Sequence, residues 1–299
     1  MYKILTEASG SLTSGYLIQA IRKAGHIAIA SDIDPKCAGR FLADDFIQMP
    51  KVDEPGLWSI ITSELNKHCV NVVVPSLDET LVAWALRKKE FSDLGIYVII
   101  SEPNTLKVFQ DKWLTYQFFK DIGVPTPATS LGKNYPLVKP RNGRGAKGIR
   151  ITHEQVEMEG MISQELVEGE EYTVDVFCDR NSKPVYIIPR KRIAVKDGKS
   201  TGGLTVYNKE IINWIQMICM QIPFIGPINI QCFIGSDGIK FIEINPRIAG
   251  GMALGFAASE NWMNLMVKHF VQGEVILPKP VQYGLEMKRY YAEVFISPS

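Results

Sequence analysis

The segment Lys240–Gly251, KFIEINPRIAGG, holds the most informative pattern of the sequence. In it Glu243, Asn245 and Arg247 alternate mostly with isoleucines, which is typical of a β-strand that runs into a glycine turn. Residues two apart lie on the same face of a strand, so a carboxylate, an amide and a guanidinium share one side. The alternation fits two interpretations: the solvated face of a half-buried hairpin, and a binding site for a charged ligand.

A hairpin partner for this strand lies directly before it. The apolar run INIQCFI is followed by GSDG, a typical hairpin turn, so Gln231 and Glu243 are expected on adjacent antiparallel strands. With Asn245 they form an oxygen-rich patch, and Mg²⁺ takes oxygen ligands from protein, nucleotide phosphates and water. Arg247 points the same way and suits a phosphoryl or carboxylate group, which a guanidinium binds through two hydrogen bonds.

A glycine motif lies upstream, in KPRNGRGAKGIRIT. Gly143, Gly145 and Gly148 satisfy the dinucleotide-binding pattern G-x-G-x-x-G, but the residues that follow are β-branched and predict a strand. We therefore expect a hairpin loop whose backbone N–H groups approach phosphate closely, with positive charge from Arg144 and Lys147. A flexible, solvated hairpin is the alternative.

Lys139 favours the phosphate interpretation of this loop. It precedes the loop in an apolar strand, where an unpaired ammonium is costly to bury. A bound phosphate would supply the counter-charge that this lysine requires.

Strands alternate with helical patterns through the N-terminal third, which predicts parallel βαβ units in a Rossmann-like sheet. The first loop, TEASGSLTSG, lacks G-x-G-x-x-G, and Asp32 is by itself a poor sign of ribose binding. An NAD-dependent oxidoreductase is therefore the less favoured alternative. The pattern changes at Pro103 and Asn104, and we expect one domain over 1–104 and a mixed α+β domain over 105–299.

Composition narrows the class of protein. Of 299 residues, 46% are hydrophobic and 22% charged, which suits a globular chain of two domains. Thirty-three Lys and Arg against 32 Asp and Glu give no general electrostatic reason to bind nucleic acid or an anionic membrane. The N-terminus lacks the apolar core of a signal peptide, so we expect a cytoplasmic protein. Five cysteines without a CxxC pair and four scattered histidines favour reduced thiols and disfavour a zinc site.

Four motifs between Asp111 and Gly251 carry a resemblance to a known family. They are DKWLTYQFFKDIGVPTP, PLVKPRNGRGAKGI, QELVEGEEYTVDVF and FIEINPR, in the family's order. The whole chain resembles the ATP-grasp superfamily of carbamoyl phosphate synthetase, biotin carboxylase and D-alanine–D-alanine ligase, and is most similar to stand-alone carbamoyl-phosphate-synthase-like proteins. The resemblance implies an α/β plus α+β fold, in which a Rossmann-like preATP-grasp domain precedes an ATP-grasp domain whose two α+β subdomains clamp ATP.

The resemblance implies a nucleotide site spread over these motifs. Glu165 and Val167 are similar to the hinge whose backbone recognises the adenine edge, and Glu171 is similar to the carboxylate that takes the ribose hydroxyls. The implied phosphate-binding residues are Lys112, Lys139, Gly143, Gly145 and Lys147.

The same resemblance implies a metal site and a reaction. Glu243 and Asn245 look like Mg²⁺ ligands, with Mn²⁺ as a substitute, and Gln231 stands at a ligand position where the family often has a carboxylate. Arg247 looks like the arginine at the γ-phosphate, so Arg247 and Lys139 are the expected catalytic residues. The implied chemistry is ADP-forming: a carboxylate attacks the γ-phosphorus of ATP to give an acyl phosphate, from which an amine or thiol then displaces inorganic phosphate.

Substrate contacts are the least defined part of the sequence. Arg190 and Arg192, in PRKRIAVKDGKSTGG, fall where family members often contact the acceptor; a solvated strand and loop is the alternative. Asp78 and Glu79, in PSLDET, follow a strand end, where open α/β sheets bind ligands, and they suit an amine. Helix N-capping is the alternative for Asp78.

We expect small-molecule carboxylate and amine substrates, and the habits of the family suggest a homodimer. Because the stretch after Gly251 is short, we do not expect the extra C-terminal domain of biotin carboxylase, a biotinyl carrier domain or a glutaminase. A regulatory module that binds ATP without turnover is an alternative, against which the complete phosphate and metal motifs argue.

Overall fold

A computed structural model of the protein describes residues 1–11, 14–143, 145, 147–196, 199–290 and 292–296. The chain forms two compact units. The first contains Met1–Ile100, Glu260–Leu277 and Arg289–Ser299, and the second contains Ser101–Ser259 and Pro278–Lys288. The division into domains 1–104 and 105–299 stays a prediction; the chain changes unit shortly before it, and C-terminal residues contribute to both units.

The first unit is built on a parallel five-stranded sheet with the order β3-β2-β1-β4-β5, which confirms the predicted Rossmann-like pattern. Its strands are β1 (Lys3–Thr6), β2 (Ile27–Asp32), β3 (Asp45–Gln48), β4 (Val72–Val74) and β5 (Tyr97–Val98). The connecting helices are α1 (Gly15–Lys23), α2 (Ala38–Leu42), α3 (Leu57–Lys67), α4 (Leu81–Leu86) and α5 (Lys88–Asp93), with a 3₁₀ turn at Asp78–Thr80. Two C-terminal segments, the α-helix Trp262–Met266 and the π-helix Val267–Val271, also belong to this unit.

The strands of this sheet are short apolar runs because helices cover both of its faces. Ile4, Leu5, Ile29, Val72 and Val73 are all fully buried. The carboxyl ends of β1 and β4 are adjacent, since these strands pair in parallel. The loops after them therefore meet at one edge of the sheet, where α/β proteins commonly bind ligands.

In the second unit, the residues that the structure describes form two antiparallel sheets. The larger has six strands in the order β14-β13-β10-β11-β12-β15, and the smaller has the order β6-β9-β7-β8. The larger sheet comprises β10 (Glu170–Cys178), β11 (Pro184–Lys196), β12 (Lys199–Thr205), β13 (Gly226–Gly235), β14 (Gly238–Asn245) and β15 (Glu286–Lys288). The smaller comprises β6 (Thr129–Ser130), β7 (Leu137–Pro140), β8 (Arg150–Ile151) and β9 (Met161–Gln164).

The described residues of the second unit also form four helices: α6 (Pro103–Gln110), α7 (Lys112–Asp121), α8 (Lys209–Gln221) and α9 (Ala253–Ala258). Asp111 caps α7, because its carboxylate accepts hydrogen bonds from the N–H groups of Trp113 and Leu114. Asn208 caps α8, because its side-chain oxygen accepts a hydrogen bond from the N–H of Ile211. No helix in the described ranges is long and apolar enough to cross a membrane.

One face of the six-stranded sheet is apolar and packs on these helices. Val174 of β10 and Ile230 of β13 lie in a core that also contains Phe119 of α7 and Ile215 of α8. The Phe119 ring lies 6.2 Å from the ring of Phe241 on β14, centroid to centroid. Because side chains alternate along a strand, the opposite face of the sheet carries the residues between these apolar positions.

We predict that Phe119→Ala lowers the free energy of unfolding by about 3 to 5 kcal/mol, because it removes a fully buried ring and leaves a cavity. Leu114→Ala on the same helix is the control: its side chain is 38% exposed, so its loss costs much less. Urea denaturation of both variants measures the two costs. Equal costs would contradict this description of the core.

Candidate functional site

The polar face of the six-stranded sheet forms two rows of side chains across neighbouring strands. Gln231 pairs with Glu243, which confirms the predicted hairpin register, and Thr173 flanks Gln231 on β10. One step along, Asn229 pairs with Asn245. The register brings a carboxylate and three amides to one end of the sheet.

Glu243, Asn245 and Arg247 contact one another in a chain. The Asn245 Nδ2 group donates to Glu243 Oε1 at 3.0 Å, and an Arg247 guanidinium nitrogen donates to Asn245 Oδ1 at 3.1 Å. All three residues are half-buried. The prediction that they share one face is therefore confirmed, and the three groups remain accessible to a ligand.

Lys139 is buried on β7, with a relative exposure of 4%. Its ammonium donates to Gln164 Oε1 at 2.8 Å, and Gln164 Nε2 donates to Thr129 Oγ1 at 2.8 Å. Burial lowers the pKa of Lys139 to about 8, Glu243 opposes this shift, and Lys112 adds to it. The two lysines and the Glu243 carboxylate therefore lie within electrostatic reach of one another.

The start of the glycine loop is held by the beginning of α7. Lys112 Nζ donates to the carbonyl of Gly143 at 2.9 Å, and its backbone N–H donates to the carbonyl of Arg141 at 2.9 Å. The Arg141 guanidinium pairs with Asp111. Gly143 has a φ of 128°, which a residue with a side chain rarely adopts. The sequence predicts that the lysine and the loop bind phosphate, but it does not predict that they contact each other.

The remaining loop residues agree with an open hairpin. Gly145 and Gly148 have φ values of 66° and 74°, and Lys147 is exposed. Arg144 lies outside the described residues. The backbone of this loop therefore takes conformations that glycine favours, as a loop that presents N–H groups to an anion requires.

Glu165 and Val167 lie in the segment between β9 and β10. The Glu165 carboxylate accepts from Lys240 Nζ at 2.9 Å and from the N–H of Ala128 at 3.1 Å, and the Lys240 hydrogen bond lowers its pKa. Its own N–H donates to the Ala128 carbonyl. Within the described part of the chain, no hydrogen bond reaches the Glu165 carbonyl or leaves the Val167 N–H. An acceptor and a donor two residues apart suit the edge of a base.

Glu171 and the two predicted substrate arginines lie on β10 and β11. Glu171, half-buried, forms an ion pair with Arg192. Arg190 is only 1% exposed, and its guanidinium binds both oxygens of Asp175, at 2.6 and 2.8 Å. Arg190 is thus a buried group held by a carboxylate that the sequence did not single out.

Asp78 and Glu79 belong to the first unit, in the 3₁₀ turn after β4. Leu77, rather than Asp78, takes the cap position, so the capping explanation of Asp78 is wrong. A buried carboxylate that the sequence did not predict, Glu7, holds this turn. It accepts from the N–H groups of Ser76 and Leu77, at 2.8 and 3.1 Å. Its other oxygen accepts from the side chains of Thr80 and Trp84.

The contacts of Asp32 test the alternative interpretation, in which the first unit binds a dinucleotide and this carboxylate binds its ribose. Its carboxylate accepts from the N–H of Gly10 at 2.7 Å and from the N–H of Asp34 at 3.0 Å. Both oxygens therefore serve the backbone of neighbouring loops. This arrangement disfavours a ribose acceptor at Asp32.

The residues around Glu243 supply oxygen donors of the kind that Mg²⁺ prefers. The described residues contain no group of three His, Cys, Asp or Glu side chains that would hold a metal ion alone. Glu243 with the amides of Gln231 and Asn245 offers oxygen ligands of low total charge. Such a set fits Mg²⁺ that arrives with nucleotide phosphates, since this ion commonly keeps phosphate and water ligands.

Two family models match the chain. Residues 7–99 match the PylC-like N-terminal domain, and residues 157–292 match the model described as ATP-grasp in the biosynthetic pathway with Ter operon. The chain contains an ATP-grasp domain. The predicted superfamily and the predicted fold class are both confirmed by these matches.

Curated relatives carry ligase names. The 3-methyl-D-ornithine–L-lysine ligase of Methanosarcina acetivorans is 22% identical over 263 residues, which cover 84% of this chain and 69% of the relative. The enzyme of the same name from Methanosarcina barkeri is 24% identical over 262 residues, with the same coverage. The expectation of an ATP-grasp ligase is confirmed at the level of this class.

Solved structures share the fold. N5-carboxyaminoimidazole synthetase from Staphylococcus aureus, complexed with ADP, superposes with a TM-score of 0.72 and 18% identity over 94% of this chain and 80% of that chain. Biotin carboxylase from Campylobacter jejuni, in a β,γ-ATP complex, gives a TM-score of 0.71 and 15% identity over 95% and 74%. A further structure of this fold, the biotin carboxylase domain of 2-oxoglutarate carboxylase from Hydrogenobacter thermophilus, is a complex with MgADP, ADP and bicarbonate.

We predict that ATP affinity depends on the charge of Lys139. Its ammonium is protonated below about pH 8 in the free protein, and a bound phosphate stabilises the protonated form. Affinity is therefore constant below pH 8 and falls above it by up to about tenfold per pH unit, until the pKa of the bound state is reached. Calorimetric titration from pH 6.5 to 9.5 measures this slope. Lys139→Met is the control, and an equal slope in that variant would contradict the assignment.

Proposed function

We propose that this protein is an ATP-dependent, ADP-forming ligase that activates a carboxylate as an acyl phosphate and joins it to an amine or a thiol. The observation that carries the proposal is the convergence of Lys112, Lys139 and the glycine loop with the Glu243 carboxylate. A buried ammonium beside a neutral amide lacks a full counter-charge, which a triphosphate would supply.

The nucleotide would be held along the whole site. The Glu165 carbonyl and the Val167 N–H would bind the adenine edge, and Glu171 would accept the ribose hydroxyls. Lys112, Lys139 and the loop residues would bind the phosphates. The phosphate-binding loop residues are Gly143, Gly145 and Lys147.

Glu243, Asn245 and Gln231 would hold Mg²⁺, which, when bound, neutralises charge on the phosphates. The Asn245 amide nitrogen donates to Glu243 and its oxygen accepts from Arg247, so this oxygen must turn toward the ion to become a ligand. Mn²⁺ as a substitute ion stays a prediction.

In the first step a substrate carboxylate oxygen bonds to the γ-phosphorus, the bond to the β–γ bridging oxygen breaks, and ADP leaves with that electron pair. Arg247 and Lys139 would stabilise the negative charge on the transferred phosphoryl group. In the second step the nucleophile bonds to the acyl carbon and inorganic phosphate leaves, while the nucleophile's proton passes to solvent or a base. Positioning and charge neutralisation supply most of this catalysis.

We infer that the substrates are small molecules of the amino-acid type. The support is the name of the Methanosarcina relatives, which join an ornithine derivative to lysine. Asp78 and Glu79 stay the predicted contacts for an amine, with Glu7 fixing their turn. Arg192 stays a predicted substrate contact, whereas the burial of Arg190 against Asp175 disfavours a direct contact of Arg190 with substrate. A homodimer and a cytoplasmic location also stay predictions.

An ATP-binding module without turnover is the second candidate, and Gln231 favours it. A neutral amide in place of a carboxylate weakens the attraction for a divalent cation. The two candidates differ in whether ADP is released.

We predict that a screen of amino acids and other carboxylates, crossed with amines, reveals a pair for which ADP release exceeds the rate with ATP alone. A coupled assay for ADP measures this rate, and mass spectrometry identifies the joined product. ATP binding without ADP release in any combination would favour the silent module.

The same assay tests the site with variants. Glu243→Ala and Lys139→Ala should each lower Mg²⁺-dependent ADP release by at least about a hundredfold, since each removes a charge at the phosphates. Glu210→Ala and Lys120→Ala are matched controls, because both side chains are exposed in the same unit. Near-normal release by both site variants would show that the site lies elsewhere.

A further inference from the structure

A fully buried ion pair lies on the polar face of the six-stranded sheet. Asp175 is 0% exposed, and Arg190 binds its two oxygens through Nε and a terminal nitrogen. Asn229 Nδ2 also donates to Asp175, at 2.9 Å. Removing two charges from water is expensive, and an apolar pair of similar volume often stabilises a fold equally well. The pair therefore calls for a role beyond filling space.

A glycine-containing segment lies directly against this pair. A Cβ atom at Gly251 would stand 2.8 Å from an Arg190 guanidinium nitrogen, and one at Gly255 would stand 2.7 Å from Asp175 Oδ2. Neither glycine has a φ in the left-handed region, so close approach rather than backbone conformation requires them. The planar ion pair supports the backbone from Gly251 to Gly255.

This segment directly follows the phosphate end of the candidate site. Asn245 is fixed by the sheet, because it pairs with Asn229, which itself binds Asp175. The N–H of Arg247 donates to the Asn245 carbonyl at 2.8 Å. The segment that carries Arg247 is thus held at both ends. Strand pairing holds it at Asn245, and packing of Gly251 against the ion pair holds it at the other end.

We propose that Asp175 and Arg190 are positioning residues, which hold the Asn245–Gly251 segment and so place Asn245 and Arg247 at the metal and phosphate groups. This role rests on the proposed function and differs from the substrate contact expected for Arg190. The two-point contact of a guanidinium with a carboxylate fixes a plane, which a lysine or an apolar side chain does not reproduce.

The test measures ADP affinity by calorimetry, with Mg²⁺ and with EDTA, in wild type and three variants. Gly251→Ala presses on the guanidinium without removing a charge, Arg190→Lys keeps the charge but loses the plane, and Asp175→Leu with Arg190→Met replaces the pair by apolar groups. Lys191→Ala is the control, since Lys191 is 37% exposed and pairs with Glu170. Thermal denaturation reports the stability of each protein.

The expected result is that the affinity gained with Mg²⁺ falls by about tenfold or more in all three variants, while affinity in EDTA stays within about twofold. The control should keep the whole gain. We expect the double variant to lose the increase in ADP affinity with Mg²⁺ even if it is as stable as the wild type. That result would distinguish positioning of the site from a purely structural role.

A full Mg²⁺-dependent gain in Gly251→Ala and Arg190→Lys would overturn this proposal. The proposal would also be overturned if the double variant were as stable as the wild type and kept the full increase in ADP affinity with Mg²⁺. Absence of any Mg²⁺-dependent ADP binding in wild type would instead count against the proposed function, so the two failures are distinguishable.

Discussion

The antiparallel register between β13 and β14 is the constraint on which the candidate site depends. It sets Gln231 against Glu243 and Asn229 against Asn245, while the alternate positions send isoleucines into the core. A slip of one residue would bury the polar row and expose the apolar one, so the hydrophobic core itself enforces the site. The polar groups reach their places as a consequence of packing on the other face.

Burial of Lys139 gives the candidate site its main electrostatic feature. Its ammonium has an amide partner, Gln164, while Glu243 favours its charge and Lys112 opposes it. The free protein bears a desolvation cost there that a phosphate relieves. The Asp175–Arg190 pair differs from Lys139, because each of its charges already has a partner. The pair therefore supports the neighbouring backbone through its fixed geometry and does not attract a ligand by charge.

The sequence predicted features that depend on local pattern: the parallel sheet, the hairpin register and the polar face of β14. It did not predict Gln164 as the partner of Lys139, Asp175 as the partner of Arg190, or Glu7 as the anchor of the turn before α4. Asp175 sits in an alternating strand and gives no sign of whether its partner is solvent or an arginine. Such pairings join separate segments, and only tertiary structure brings them together.

The most direct test of the central claim, that the polar face and Lys139 form a triphosphate site, is calorimetric titration of the protein with ATP and Mg²⁺ beside titration with NAD. We expect saturable ATP binding that Mg²⁺ strengthens and no comparable binding of NAD. Tight binding of NAD with indifference to ATP would contradict it.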